Sequence, residues 1–414
     1  MSQSIVIIGG GIAGLMNAYY LKKAGHDVKL IDKDDITDNT SFGNAGLLSA
    51  FEKAPLASPG IISKTIKLML QGKSPVIINP TLEPKIYKWL FRFMASTTKA
   101  RLKKSLILFE KYGEQTLNEY KRIIKEDSLD FDFAHDGVYV VFTEKKSYEE
   151  KLAVANDTKK YEILNYEEAK ENLGFVKNNI EGIINFKRNA RMNPGKFMLA
   201  MKKRLQDMGV KFVLNEEILD WEIENKKIKK AIGKKDTYTA DTFILATGAD
   251  INLAKKLGNN LMLTPAKGYN LTFKIDEAIK PKQCIMFSDL FIIATPRSQD
   301  MRLTSKLEIA SNDPKVVKKR IDSILDNLKS HTIDFEMRDV KEWTGFRPLT
   351  PNDMPLIGRD ENYRNLVHAM GYGWLGMTFG PSLAMMLENI ITKDLENSQS
   401  DDILLFSGFY QGCL

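Results

Sequence analysis

The sequence predicts an α/β protein of more than one domain, built outward from a buried parallel strand at its N-terminus. Three observations carry that prediction. Ser4 to Ile8 is a short, β-branched apolar run, as a strand covered on both faces requires. It enters a glycine turn, Gly9-Gly10-Gly11-Ile12-Ala13-Gly14, that fits G-x-G-x-x-G on Gly9, Gly11 and Gly14. The length of 414 residues exceeds what one hydrophobic core usually holds, so two domains are expected.

The elements follow in order. Ile12, Leu15, Met16 and Tyr19 keep helical spacing as far as a stop at Gly25, and a second strand runs from Asp27 to Ile31. That strand ends in Asp32, 18 residues after Gly14, where a ribose-binding acid belongs. Strand, turn, helix, strand and acid together predict dinucleotide binding. Gly9 permits the tight turn, Gly11 lets backbone approach a pyrophosphate, and Gly14 lets the helix pack closely on the strand. The helix N-terminus, opening at Ile12 and Ala13, presents unpaired amides to phosphate. Lys33 follows the acid, and then comes Thr40-Ser41-Phe42-Gly43-Asn44-Ala45-Gly46. Small residues and amides of this kind suit a backbone lying against a flat ring or a phosphate, and equally suit a plain loop.

Residues 51–130 change character. Ala54-Pro55-Leu56-Ala57-Ser58-Pro59-Gly60 is rich in turn residues, Ile61 to Leu70 has helical spacing, and Gly72 to Pro84 reads as loop. Lys85 to Met94 is apolar and aromatic with basic interruptions, and a long helical pattern runs from Lys99 to about Ile124. Val138 to Phe142 reads as a strand, Tyr148 to Lys160 as helical, and Phe197 to Met208 as an amphipathic helix ended by Gly209. Strands are predicted over Val210–Leu214, Ile218–Ile223 and Ile228–Ile232. Thr242 to Leu245 is a second buried strand, running into the small-residue turn Ala246-Thr247-Gly248 over which an extended nucleotide passes. Leu263–Phe273 and Ile285–Thr295 read as sheet, Lys315–Leu328 and Leu383–Ile391 as helix, and Pro355–Gly358 as a strand.

Composition excludes several classes. Hydrophobic content of 43% and charged content of 27% are those of an ordinary globular protein. No apolar run reaches the roughly 18 residues a membrane span needs, and no signal peptide precedes the first strand, so a cytoplasmic product is expected. Cys284 and Cys413 form no redox or metal motif, and the four histidines are scattered, so no metal site is expected. A net charge of +7 without any zinc-finger or aromatic-plus-basic signature predicts no nucleic-acid partner.

The chain resembles the D-amino-acid oxidase-like flavoprotein superfamily, and within it the bacterial D-amino acid dehydrogenases of the small-subunit type. The likeness lies in Gly9-x-Gly11-x-x-Gly14 with Asp32, in Thr40-Ser41-x-x-Asn44-Ala45-Gly46 and in Ala54-Pro55-x-Ala57-x-Pro59-Gly60. It continues in Ala246-Thr247-Gly248, Lys267-Gly268-Tyr269-x-Leu271-Thr272, Trp343-Thr344-Gly345-Phe346-Arg347-Pro348 and Gly371-Tyr372-Gly373-Trp374-Leu375-Gly376-Met377-Thr378. The resemblance implies a Rossmann-like FAD-binding domain from residues 1–50, 186–265 and 340–414. It implies an α+β substrate domain with an antiparallel sheet from residues 51–185 and 266–339.

The cofactor implied is FAD, with Gly9, Gly11, Ile12, Ala13, Gly14, Asp32 and Lys33 at its nucleotide end. Thr40, Ser41, Asn44, Ala45, Gly46, Thr247 and Gly248 would follow, then Gly373, Trp374, Leu375, Gly376, Met377 and Thr378 at the flavin. The flavin-linking cysteine of sarcosine oxidases would fall near Gly345 and is missing, so attachment is expected to be non-covalent. Many relatives carry His where this chain has Tyr372, so no flavin-side imidazole is expected.

The activity implied is oxidation of D-amino acids to 2-oxo acids, or to cyclic imines from D-proline-type substrates, with electrons passed to quinone or another acceptor. Amino-acid oxidation needs a carboxylate clamp, and Arg347 matches the family position of the substrate-binding guanidinium. Tyr269 and Tyr372 are expected to line the substrate pocket, and Lys267 to lie near the flavin. The alternatives are a glycine or sarcosine oxidase releasing hydrogen peroxide, the flavin domain of a tRNA-modifying enzyme, and a flavin-binding protein without turnover. Trp89, Leu90, Phe91, Phe93 and Met94, set among Lys85, Lys88 and Arg92, would rest peripherally on an anionic membrane, or else pack on their own domain.

Overall fold

The computed structural model describes residues 2–49, 55–72, 74–310, 313–399 and 406. Ala54 of the Ala-Pro segment and Cys413 lie outside the described residues. At the base is a six-stranded sheet in the order Leu356–Arg359, Leu366–Met370, Thr242–Leu245, Ser4–Ile8, Asp27–Ile31, Lys211–Val213. Neighbours are parallel except the first pair, which is antiparallel. The N-terminal strand is thus interior, and its alternation divides two cores. Ile5 and Ile7 face the helical side with Leu15, Met16 and Leu383, whereas Val6 and Ile8 face Ile218, Trp221 and Leu253.

The helical layer holds Ile12–Lys23 and Gly376–Thr392, packed on each other, with Lys99–Asp127 and Pro194–Asp207 outside them. Local chemistry sets their ends. Thr98 caps Lys99–Asp127 by accepting from the Arg101 amide, and Asn193 with Pro194 opens the next helix, which stops before Gly209 at φ +81°. A short antiparallel sheet, Ile218–Glu224, Lys227–Gly233 and Thr237–Tyr238, covers the opposite face.

A nine-stranded mixed sheet stands above. Its order is Arg338–Leu349, Thr264–Lys274, Met301–Ile309, Ile292–Pro296, Cys284–Phe287, Val138–Phe142, Gly182–Phe186, Tyr161–Leu164, with Val76–Ile78 beside Met301–Ile309. Most pairings are antiparallel, and two are parallel. Ile321, Ile324 and Leu328 of helix Lys318–Lys329 cover one face.

Several elements differ from the sequence reading. Val76–Ile78, expected as loop, is a strand because its backbone pairs with Leu307–Ile309, while Pro75 and Pro80 confine it to three residues. The helix expected over Tyr148–Lys160 occupies Lys145–Leu152, and the strand Tyr161–Leu164 follows at the sheet edge. The late helix begins at Gly376, not Leu383. Residues 340–349, expected with the parallel sheet, pair along their length with Thr264–Lys274 in the large sheet. Among the described residues no helix is long and apolar enough to cross a membrane.

Candidate active site

Between the two sheets runs a cleft of about 1390 Å3, larger than the usual site for one small molecule and roomy enough for a dinucleotide. Its floor is the glycine turn. Gly9 has φ +113°, and a Cβ there would lie 2.3 Å from the Ala246 carbonyl oxygen. A Cβ on Gly14 would lie 1.8 Å from Gly9 O, so the helix can approach the strand only with glycine at that position. Gly11 faces the cleft, with Ser41 Oγ alone within reach of a Cβ. Helix Ile12–Lys23 has no side-chain cap on its first residue side, and Ile12 N donates to Ser41 Oγ at 3.0 Å.

Asp32 lines the same end. Its Oδ2 accepts from Gly10 N at 2.5 Å and its Oδ1 from Asp34 N at 2.8 Å. Burial raises its pKa, and the two amide hydrogen bonds oppose that shift. The carboxylate is therefore oriented by backbone, with lone pairs left for ribose hydroxyls. Lys33, Thr40, Ser41, Asn44, Thr247, Gly248, Gly373, Gly376 and Met377 also line the cleft, as do Ile12 and Ala13. At the far end Gly371 (φ +69°) and Gly373 (φ +56°) turn the chain into helix Gly376–Thr392, whose start has no side-chain cap.

Other expected cofactor residues stand behind this wall. Gly14 lies beneath Gly9. Gly46 (φ +81°) packs on the Met192 carbonyl, and Ala45 beside it does not line the cleft. Leu375 and Thr378 are buried. Trp374 donates its indole N–H to Asp353 Oδ2 at 3.0 Å. Asp353 (φ +58°) also accepts from Leu56 N at 2.7 Å, and burial pushes its pKa up to about 6.

Strand register decides which candidates meet. Arg347 sits opposite Ala266, and its guanidinium lies over Gly268, where a Cβ would be 2.1 Å from Nη1. Nη1 donates to Lys306 O at 3.0 Å. Burial draws its pKa down to about 10, and among the described residues no carboxylate pairs with it.

Tyr269 must be withdrawn from this constellation. It occupies the alternate position on Thr264–Lys274, so its side chain points through the other face of the sheet. It is fully buried against helix Lys318–Lys329, and its hydroxyl donates to Glu308 Oε2 at 2.5 Å. Lys267, on the same face, donates Nζ to Lys315 O at 2.5 Å and does not line the cleft. Tyr372 contributes a ring to the cleft wall, but its hydroxyl is buried toward Asn17 of the N-terminal helix. It packs as a core tyrosine.

Among the lining residues that the sequence reading did not place at the site are Trp343 and Glu216. Trp343 lies flat on Gly43 and Gly345, where a Cβ would be 2.3 Å and 2.1 Å from its ring, and its indole donates to Asp38 Oδ1 at 2.7 Å. Glu216, 1% exposed, accepts from Lys235 N at 2.9 Å and Asp236 N at 3.3 Å. Nothing along the chain marked either one: Gly43 and Gly345 are distant in sequence and meet the Trp343 ring only in the fold, and Glu216 sits in no motif.

A mixed α/β fold with a glycine-floored dinucleotide cleft beneath a large sheet defines the FAD-binding oxidoreductase class. The comparisons agree. The sequence profile of the family described as FAD dependent oxidoreductase matches residues 4–390. A D-amino acid dehydrogenase of Helicobacter pylori (strain J99 / ATCC 700824) is 43% identical over 411 residues, covering 99% of this chain and all of that protein. Glycine oxidase from Bacillus cereus ATCC 14579 superposes with a TM-score of 0.71 at 17% identity, covering 97% of this chain and 98% of that one. L-proline dehydrogenase from P. horikoshii gives 0.70 at 17% identity, covering 99% and 98%. The chain belongs to the FAD-dependent oxidoreductase family. Its cofactor is FAD, and the residues fit it: a side chain on Gly9 would strike the Ala246 carbonyl and one on Gly14 the Gly9 carbonyl, and Asp32 lines the cleft beside the turn.

Proposed function

We propose that the protein is an FAD-dependent D-amino acid dehydrogenase, in keeping with its 43% identical relative. One observation carries the reading: Arg347 is a buried guanidinium that no carboxylate of the described chain neutralises. Such a charge is costly unless an anion arrives to pair with it, and an amino acid brings one. One prong is committed to the Lys306 carbonyl, which fixes the side chain and leaves other N–H groups to grip the substrate carboxylate as a fork. Ala266 and Leu349, with Leu56, Trp89 and Trp374 behind them, form an apolar cluster at the same end of the strand. That cluster keeps water from the clamp and favours a neutral amine, so no general base is required.

When bound, FAD supplies the acceptor for the hydride leaving Cα. The substrate loses that hydride and one N–H proton, and the imine released hydrolyses to a 2-oxo acid and ammonia; a cyclic substrate leaves as a cyclic imine. FAD is held non-covalently in this reading, so acid precipitation should leave the flavin in the supernatant. Of the described residues, the FAD-binding part comprises 2–49, 186–265 and 350–399, with strand Arg338–Leu349 assigned instead to the substrate part.

Electrons leave to quinone or another acceptor, with the protein peripheral on an anionic membrane. Helix Pro84–Ser96 supports this in part. Trp89, Leu90 and Phe93 pack inward, with Trp89 donating to Leu349 O at 3.1 Å, whereas Tyr87, Phe91 and Met94 are exposed. These lie among Lys85, Lys88 and Arg92. Sedimentation with anionic liposomes, lost when Lys85, Lys88 and Phe91 are replaced, is the expected result; no sedimentation by the wild type removes the membrane from the scheme.

The activity itself is tested by mixing the yellow protein anaerobically with D- and L-amino acids. Bleaching by D-amino acids is expected. Bleaching by glycine or sarcosine alone would replace the proposal with an oxidase of those substrates.

A further inference from the structure

Three consecutive carbonyls in the loop after the N-terminal unit are all held by the large sheet. Arg302 Nη1 donates to Phe42 O at 3.1 Å and to Asn44 O at 2.6 Å. Between them, Asn270 Nδ2 donates to Gly43 O at 2.8 Å. Arg302 Nε is anchored on Thr272 Oγ1 at 3.1 Å. Arg302 is 6% exposed and Asn270 1%. An arginine this deep ordinarily meets a carboxylate, yet each of these acceptors is neutral. The nearby Asp300 is engaged by Arg297 through both oxygens, at 2.5 and 2.7 Å. Burial draws the Arg302 pKa down to about 9, and the Arg297 charge adds to that.

The consequence is directional. With the carbonyls of residues 42–44 turned toward the sheet, the opposite edge of the loop is turned to the cleft, where Thr40, Ser41 and Asn44 form the wall. Gly43 N and Asn44 N are returned to Asn39 O and Ser41 O, and Gly46 N to Asn44 Oδ1. Ala45 N–H has no acceptor among the described residues. Charge-assisted hydrogen bonds from one guanidinium to two carbonyls fix this loop more firmly than neutral contacts would.

We infer that Arg302, with Asn270, is a positioning residue for the cofactor, clamping the 42–46 loop so that its polar edge meets bound FAD. The inference rests on the cleft being the FAD site. It concerns residues that do not themselves line the cleft.

The test uses full-length Arg302→Lys and Asn270→Ala proteins stripped of flavin and titrated with FAD. Binding is read by flavin fluorescence, and stability by the melting temperature of the flavin-free form. Lysine keeps the charge but loses the second donor, Nε on Thr272 Oγ1, that holds the group over the two carbonyls. Its FAD dissociation constant should rise about 10- to 100-fold, the loss of one charge-assisted hydrogen bond. Asn270→Ala should cause a smaller rise. In holoenzyme reconstituted at saturating FAD, kcat should fall with KM little changed. If both variants only melt earlier while their folded fraction binds FAD as the wild type does, the clamp is structural and the inference is overturned. Should Arg302→Lys fail to fold, Asn270→Ala decides by the same criterion. If the wild type takes up no FAD, the reading of the cleft falls and the inference with it.

Discussion

Replacing Arg347 by alanine is the most exposing test of the proposed chemistry. The substitution removes a buried guanidinium that has no acidic partner among the described residues, and it strips the Lys306 carbonyl of its donor. A substrate carboxylate brought into that space would then lack its counter-charge. Breaking one side of a buried charge pair costs about 3–5 kcal/mol, so kcat/KM should fall by roughly 150- to 5000-fold. The loss should appear in the rate of flavin bleaching as well as in binding, because an unclamped Cα is misplaced for hydride transfer. FAD content should be unchanged, since Arg347 does not line the cofactor cleft. Arg347→Lys should recover part of the loss, as a point charge without the two-pronged geometry. The assay is anaerobic stopped-flow reduction by a D-amino acid, with FAD content measured in parallel. An alanine variant that holds FAD and bleaches near the wild-type rate refutes the clamp and moves the substrate site elsewhere.

Three further outcomes follow from the geometry. Gly14→Ala places a Cβ 1.8 Å from Gly9 O, and overpacking of that kind costs about 1–3 kcal/mol or more; the purified protein should be colourless or poorly folded, and a yellow, fully stable variant would contradict the close helix–strand contact. Asp32→Ala should weaken FAD binding by about 1–3 kcal/mol, read by fluorescence titration, with unchanged affinity counting against the ribose role. Asp353, with its carboxyl pushed up to about 6, holds a proton in the folded state at pH values where the unfolded chain has released it. Its contribution to stability is greatest below the ordinary carboxylate range and is lost as pH rises through about 6. Asp353→Asn should flatten that part of the melting temperature against pH, and superimposable profiles would show that Asp353 does not titrate there.

What the sequence by itself determined was whatever rests on neighbours along the chain. The Gly9–Gly14 turn, the helix after it and Asp32 were legible because a glycine's backbone freedom, a 3.6-residue period and a strand end are all local properties. The same holds for Val138–Phe142 and for the Thr242–Gly248 strand and turn. The Gly-Phe-Arg-Pro element drew attention to Arg347 through its likeness to a family motif.

What only the tertiary structure decided was which side chains share a space. Tyr269 and Gly268 are adjacent in sequence, and a pleated strand sends them to opposite faces, so one lies under the Arg347 guanidinium and the other hydrogen-bonds Glu308. No pattern along the chain states which face is the cleft. Val76–Ile78 became a strand because residues 307–309 offered an edge. Trp89 turned inward and Phe91 outward because Leu349 O lies on one side of their helix. The Arg302 clamp joins residues 258 and 260 positions apart along the chain. Contacts of that span are fixed by how two sheets pack, and local sequence holds no record of them.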